Sequence, residues 1–532
     1  MLCKCCANLG IKKVKALIIS TLTLAIVGIT GLEPATSRPP DVCATNCAKS
    51  RSKKSLASDL SRKCGCKSTH IFPFDQIFRP LFSILSDFFV FDLLIRIKIR
   101  TFAARNQDYN SKMTQYEIAA SKQQHVMVSL PASKSISNRA LIIYALSGGR
   151  QLPHNLSDCD DTKVILNALK YMPEEINIKA AGTAMRFMTA YLSVMRGTHV
   201  LTGTERMKQR PIGILVDALR KLGADISYEG KEGFPPLRIT GQSIDGGELE
   251  IEGNVSSQYI SALLMIGPVL KKGLELKLTG DIISRPYIDL TLWMMREYGA
   301  DADWTSADTI TVKPKPYVNR DYMIENDWSG ASYWYEILAL SSDREAEIQL
   351  NGLMDGSKQG DSVIKYIFSL LGVKTVFQSK TSGQPQNVTL KRNGRCVKKL
   401  EYDFVNSPDL AQTVIVTCAA LDIPFYFKGL ATLKIKETDR IEAMKREMRK
   451  LGYVLHDVND CELYWDGERC EPSMEEGIDT YDDHRMALSF APFAMKSGRL
   501  IINNPKVVTK SYPSFWQSLV DAGFSIEVKS EK

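Results

Sequence analysis

Past residue 112 this chain lacks three things: a surplus of positive charge, grouped cysteines and a regular repeat length. Eighteen Lys and Arg stand against seven Asp and Glu before Met113, which leaves 50 against 53 in the rest. The formal charge of +8 therefore belongs to the first 112 residues. A near-neutral body has no electrostatic footprint for nucleic acid, so no such partner is expected. Seven of the 12 cysteines also precede Met113, and the others, Cys159, Cys396, Cys418, Cys461 and Cys470, are scattered without metal-ligand spacing. That usage suits a reducing compartment and core packing. The early "CKCC" and "CGC" lack a histidine or a second spaced pair, so no metal site is expected there.

The first 112 residues do not match the rest. "ALIISTLTLAIVGITGL", residues 16–32, follows three lysines and has the length of a signal-peptide core or a short membrane span. Residues 71–104 are rich in Phe, Ile and Leu but are broken by Asp75, Arg79, Asp87 and Asp92. They show no helix or strand period. Between them, "GLEPATSRPPDVCATNCAKSRS" resembles the peptide read when a transfer-RNA gene is translated in the wrong direction. The expectation is a start assigned too far upstream, with the native chain beginning near Met113. A transit or export segment is the other reading, because the stretch is basic and poor in acids. A membrane-attached form would rest on these residues alone.

What the sequence does have is 532 residues at 44% apolar and 24% charged, the balance of a soluble globular chain of two to four domains. From Met113 onward one pattern recurs: a small or hydroxyl residue near a charge, then a mostly apolar helix, then strand-like segments. It occurs at "SKSISNRALIIYAL", "AGTAMRFMTAYLSVM", "VSSQYISALLMIGPVL", "DWSGASYWYEILAL", "SPDLAQTVIVTCAALD" and "TYDDHRMALSFAPFAM". The spacing of about 50 to 80 residues is too long and irregular for a solenoid. These helices are apolar on more than one face and should be buried, whereas "TDRIEAMKREMRKLG" is amphipathic and belongs outside.

The residues before the buried helices are N-cap types, and capping alone accounts for any single instance. Capping does not call for Lys134, Arg139, Arg186 and Arg485 at or just after the helix starts, where a cation opposes the macrodipole unless an anion lies between. Together they read as a phosphate or carboxylate cradle. If several such ends converge, the ligand is small and strongly anionic.

These residues closely resemble the 5-enolpyruvylshikimate-3-phosphate synthase family, the 3-phosphoshikimate 1-carboxyvinyltransferases. The resemblance runs from Met113 to the C-terminus through "LPASKSISNRAL", "AGTAMRF", "LTGTERMKQRPIG", "VSSQYISALL", "SRPYIDLT", "QGD", "NSPDLAQT", "KIKETDRIEAM", "YDDHRMAL" and "TKSYPSFW", in the family's order. It implies an α/β fold of two domains, an inside-out α/β barrel. Each domain has three βαβαββ units with buried helices and outer sheets. Residues 133–325 would form one domain, and 113–132 with 326–532 the other.

The implied reaction moves the enolpyruvyl group of phosphoenolpyruvate to the 5-hydroxyl of shikimate 3-phosphate and releases phosphate. It uses no metal or organic cofactor. By the family pattern, shikimate 3-phosphate falls to Ser135, Arg139, Ser256, Ser257, Gln258, Tyr287, Asp409 and Lys436. Phosphoenolpyruvate falls to Lys134, Gly182, Arg206, Gln258, Arg440, Arg485 and Lys510. Asp409 is the candidate acceptor of the 5-hydroxyl proton and Glu437 the candidate donor at C3, with Lys134 and Lys436 assisting. "KETDR" alone would read as a solvated helix start. His484 is placed behind the site, and Lys208 and Arg210 in solvent or between domains.

Ala180, Phe187 and Thr432 depart from the family's usual asparagine, proline and asparagine. Glyphosate occupies the phosphoenolpyruvate site in this family, and Gly182 leaves room for it. A monomer in the cytoplasm is implied, or in a plastid if residues 1–112 are a transit peptide. The rival readings are a non-catalytic anion-binding homologue and the sister transferase acting on UDP-N-acetylglucosamine, whose cysteine-bearing loop this sequence lacks.

Overall fold

The computed structural model describes residues 114–121, 125–378 and 383–529. The expectations for residues 1–112 lie outside these. The six motif segments form the helices α1 (Lys134–Leu146), α2 (Gly182–Val194), α3 (Ser257–Ile266), α4 (Trp328–Leu340), α5 (Ala411–Ala420) and α6 (His484–Phe490). Every residue of α5 and α6 is buried, because their Ala, Val, Ile and Leu positions leave no polar face to turn toward water. Thr413 links three of the helices, its Oγ1 lying 3.3 Å from Ser332 Oγ of α4 and 3.2 Å from Ser489 Oγ of α6, while Thr417 Oγ1 donates to Thr413 O at 2.7 Å.

The helices between them are striped. Arg440–Lys450 buries Ile441, Ala443, Met444 and Met448, and Gly213–Lys221 buries Leu215, Val216, Ala218 and Leu219. The strands alternate in the same economy. In Leu274–Thr279 the three leucines are buried while Glu275 and Lys277 are exposed, so one sheet face packs on helices and the other meets solvent.

Around α2 the chain runs Glu175–Asn177, α2, Gly197–Thr202, Gly213–Lys221, Asp225–Tyr228 and Leu237–Gly241, a βαβαββ unit. Its first two strands pair in parallel and the last two add antiparallel. The sheets associated with α3, α4 and α5 repeat this four-stranded order. For α4 the first strand comes from far upstream, His125–Val128, parallel to Glu347–Met354.

The other two units are reduced. That of α6 has three antiparallel strands, with Gln115–Ala119 between Arg499–Asn503 and Ser525–Lys529. That of α1 has, among the described residues, only isolated bridges such as His154 to Met323. There the chain passes through Gly148 and Gly149 at φ of 90° and 64° and then Pro153, none of which sustains a ladder.

Buried apolar side chains fall into two clusters. One draws on Ala132 to Ile324, the other on Ile118 to Leu130 and Trp328 to Phe524. The two chain segments between the clusters run antiparallel, with Ser133 N donating to Glu325 O at 3.0 Å and Asp327 N to Pro131 O at 2.9 Å. No described helix is long and apolar enough to cross a membrane.

Candidate active site

Five of the six buried helices, all but α4, deliver their N-termini to one cavity. Ser133 caps α1 by accepting from Ile136 N and so sets Lys134 and Ser135 in the first turn. Ser256 caps α3 ahead of Ser257 and Gln258, and Asp483 caps α6 ahead of His484 and Arg485. The cap position of α2 is Ala181, which has no side-chain oxygen, so the first amides of that helix at Gly182 and Thr183 stay open to a ligand. A Cβ on Gly182 would sit 2.7 Å from Arg210 Nη1, the far end of a flexible side chain, so the bare glycine leaves that guanidinium its place at the cavity. Asp409 arrives on the short turn Pro408–Leu410 before α5.

Six cations line the cavity (Lys134, Arg139, Arg210, Lys436, Arg440 and Arg485) against three carboxylates (Asp161, Asp409 and Glu437). The surplus suits anionic ligands with more than one negative charge. Arg440 organises the carboxylates. It is 1% exposed, its Nε donates to Asp483 Oδ2 at 2.6 Å, Nη1 to Asp409 Oδ1 at 3.1 Å and Nη2 to Glu437 Oε2 at 3.0 Å. Arg485 Nη2 takes the other Asp409 oxygen at 3.0 Å, and Lys436 Nζ lies 3.7 Å from Oδ1.

Burial opposes the charge of Asp409, but Arg485, Lys436 and Arg440 hold it well below the ordinary carboxylate range. Glu437 is likewise buried and likewise held down, chiefly by Arg440 and Arg210. Burial works against Lys134 too, yet Asp161, 3.7 Å away, lifts its pKa above the usual lysine value. Arg139 differs from the rest. It donates to Thr291 Oγ1 at 2.7 Å, Ser135 O at 2.9 Å and Ser261 Oγ at 3.2 Å, all neutral acceptors, and burial lowers its pKa to about 10. A buried guanidinium on neutral partners is ready for an anion.

Of the fifteen site residues expected from sequence, the cavity brings together Lys134, Ser135, Arg139, Gly182, Ser256, Ser257, Gln258, Tyr287, Asp409, Lys436, Glu437, Arg440 and Arg485. It does not bring in Arg206 or Lys510. Arg206 is exposed and reaches only the backbone oxygen of Glu437 at 3.3 Å, while Lys510 Nζ donates to Asp482 O at 2.6 Å. The turn Met207–Gln209 puts Arg210 on the inner side, 3.8 Å from Glu437 Oε1, where Arg206 was expected.

Arg186, read as a cradle cation, instead donates to the backbone oxygens of Gly182 and Pro211, both at 3.1 Å. His484, placed behind the site, lines it; neither ring nitrogen makes a hydrogen bond within the protein, Nδ1 lies 3.6 Å from Asp483 Oδ1, and burial beside Lys134 and Arg485 keeps the ring neutral. Asn138, Asp161, Thr183 and Ser284 also line the cavity. Thr183 and Asn138 were legible as neighbours of motif residues, while Asp161 carried no signal beyond an acid at a helix start. The three departures lie outside the lining. Phe187 is wholly buried, with its ring 5.4 Å from the Arg139 guanidinium, so the added bulk is taken up in the core.

This architecture is that of the enolpyruvyl transferases. An enolpyruvyl transferase from Streptomyces tendae superposes with a TM-score of 0.60 at 16% identity, covering 79% of this chain and all of its own. An EPSP synthase from Acinetobacter baumannii gives 0.64 at 21%, covering 78% of this chain and all of its own. In sequence, residues 172–519 match the family model for EPSP synthase (3-phosphoshikimate 1-carboxyvinyltransferase). A 3-phosphoshikimate 1-carboxyvinyltransferase of Bacteroides fragilis is 58% identical over 416 residues, 78% of this chain and all of its own. That of Photobacterium profundum is 35% identical over 422 residues, 74% of this chain and 95% of its own. The chain belongs to the EPSP synthase family.

Proposed function

We propose that this chain carries out its family's transfer, from phosphoenolpyruvate to the 5-hydroxyl of shikimate 3-phosphate, with Asp409 and Glu437 moving the protons. The observation that carries this reading is the pairing of six cations with these two carboxylates around one cavity. Anion binding alone gives no reason to place two ionised carboxylates beside the ligand; proton transfer does.

Asp409, ionised under the field of Arg485, Lys436 and Arg440, takes the 5-hydroxyl proton as that oxygen attacks C2 of phosphoenolpyruvate. C3 gains a proton from Glu437. The tetrahedral adduct then collapses: the C2–O bond to phosphate breaks, the phosphate leaves with the proton that Asp409 took from the 5-hydroxyl, Glu437 removes a proton from C3, and Lys134 offsets the charge of the departing phosphate. The protein's own cations hold Glu437 ionised. Substrate anions drawing on Arg440, Arg210 and Lys134 weaken that hold and raise its pKa, so proton uptake accompanies substrate binding.

Ser135, Arg139, Ser256, Ser257, Gln258, Tyr287 and Lys436 are assigned to shikimate 3-phosphate. Lys134, Gly182, Arg440 and Arg485 are assigned to phosphoenolpyruvate, with Arg210 in the inner place expected of Arg206. The two apolar clusters are taken as the cores of two lobes that close on the substrates. The test is phosphate release by the full chain from phosphoenolpyruvate, with shikimate 3-phosphate as acceptor and UDP-N-acetylglucosamine as control. Release with the first alone is expected; release with the second, or none, would defeat the reading.

A further inference from the structure

The "QGD" segment contributes nothing to the cavity lining, yet it holds a carboxylate that is 3% exposed, Asp361. Tyr287 Oη donates to its Oδ1 at 3.1 Å, and Ser329 Oγ donates to its Oδ2. Tyr287 lines the cavity from the helix Arg285–Glu297, whose apolar side chains belong to the first cluster. Asp361 and Ser329 sit on the turn Gly360–Val363 and on α4, among the second. The bond therefore crosses from one lobe's ligand-facing tyrosine to the other lobe's interior.

Its surroundings fix the same seam. A Cβ on Gly360 would lie 2.7 Å from the Cβ of Pro286, and Ser284 N donates to Val405 O at 3.0 Å. Burial and the Asp361 and Asp409 charges keep the Tyr287 phenol protonated, so it is the donor. The carbonyl of Tyr287 also accepts from Thr291 Oγ1 at 2.9 Å and Arg139 Nη2 at 3.3 Å. One residue thus touches the cavity, the buried guanidinium and the opposite lobe.

We propose that Asp361 is a positioning residue for shikimate 3-phosphate, accepting the Tyr287 hydroxyl across the seam so that the ring is fixed against the substrate only when the lobes are together. This rests on the assignment of the cavity to that substrate. A hydroxyl with a buried acceptor in one arrangement and water in another ties binding to closure without adding a ligand contact.

The experiment is a double-mutant cycle on the full chain, reading shikimate 3-phosphate affinity by calorimetry for Asp361→Ala, Tyr287→Phe and the pair. Each single change is expected to weaken binding about tenfold, roughly one hydrogen bond's worth, and the pair no further than the weaker single variant. Effects that multiply, or an Asp361→Ala affinity equal to wild type, would overturn the proposal. Asp361→Asn keeps an acceptor for the tyrosine and should stay within about twofold of wild type. If Asp361→Ala does not fold, that variant decides, because a loss as large as that of Tyr287→Phe overturns the idea. Wild-type protein that binds shikimate 3-phosphate without turnover defeats the functional reading and leaves the cycle to be scored; wild-type protein that does not bind it overturns both.

Discussion

Arg440 and Asp483 are joined at two points, Nε to Oδ2 at 2.6 Å and Nη2 to Oδ1 at 3.2 Å, in a pair almost wholly closed to solvent. Asp483 Oδ1 also accepts from Arg485 N, so one carboxylate both starts α6 and aims the guanidinium that reaches Asp409 and Glu437. The two carboxylates proposed to move protons are thereby set by a residue that does not line the cavity. Helix capping and electrostatic arrangement are here a single interaction.

Removing that anchor leaves a buried cation short of its partner. Asp483→Ala is expected to cost about 3–5 kcal/mol of folding stability, read as a lower urea midpoint. Asp483→Asn, which retains the shape and one acceptor oxygen, should lose less. Equal losses from the two would show that the paired charge contributes nothing.

Asp409→Asn removes the proposed acceptor of the 5-hydroxyl proton while keeping the shape of the cavity. A fall in kcat of about 10²- to 10⁴-fold is expected, with an unchanged circular-dichroism spectrum. Glu437→Gln separates the second role. Wild-type protein turning over in heavy water should place deuterium at C3 of recovered phosphoenolpyruvate, and the glutamine variant should not. Deuterium uptake by the variant would move the C3 proton to another group.

The six buried helices were readable because their apolar faces run all round, a pattern local to each segment. The cavity was readable only in part, and Arg206 with Arg210 shows why. Both stand in "ERMKQRP", four residues apart, and which one faces inward depends on a three-residue turn rather than on side-chain period. Asp161 is a similar case: its meaning comes from Lys134, 27 positions earlier, which no periodicity relates to it. That α1 has no sheet of its own among the described residues could have been suspected from "SGGRQLP", where two glycines and a proline stand in the place of a strand.

Gly182 carries a prediction about inhibition. The Cβ of Gly182→Ala would lie 2.7 Å from Arg210 Nη1, the far end of a flexible side chain, so the arginine should shift and the fold should survive. Phosphoenolpyruvate is expected to bind about tenfold more weakly, about 1.4 kcal/mol. Glyphosate should compete with phosphoenolpyruvate in the wild-type chain, since Phe187 lies beneath Arg139 and outside the lining. Inhibition that persists at saturating phosphoenolpyruvate would place the inhibitor elsewhere.

The crossing segments predict a pH dependence of opposite sign to that of the active-site carboxylates. Glu325 is 3% exposed, its Oε1 accepts from Ser357 Oγ at 2.7 Å, and its Oε2 has no partner. Burial pushes its pKa up to about 7, and burial with the Asp361 charge pushes Asp327 up to about 6. A carboxyl raised on folding keeps a proton that the unfolded chain releases, so its contribution is full below the unfolded pKa and is lost as pH rises through 6 and 7. Asp409 and Glu437, lowered on folding, contribute above the ordinary carboxylate range and lose that as pH falls. Glu325→Gln, neutral at every pH, should therefore gain stability over wild type between about pH 5 and pH 8. Urea midpoints of both proteins across that range measure it. A difference that does not change with pH would mean that Glu325 does not titrate there.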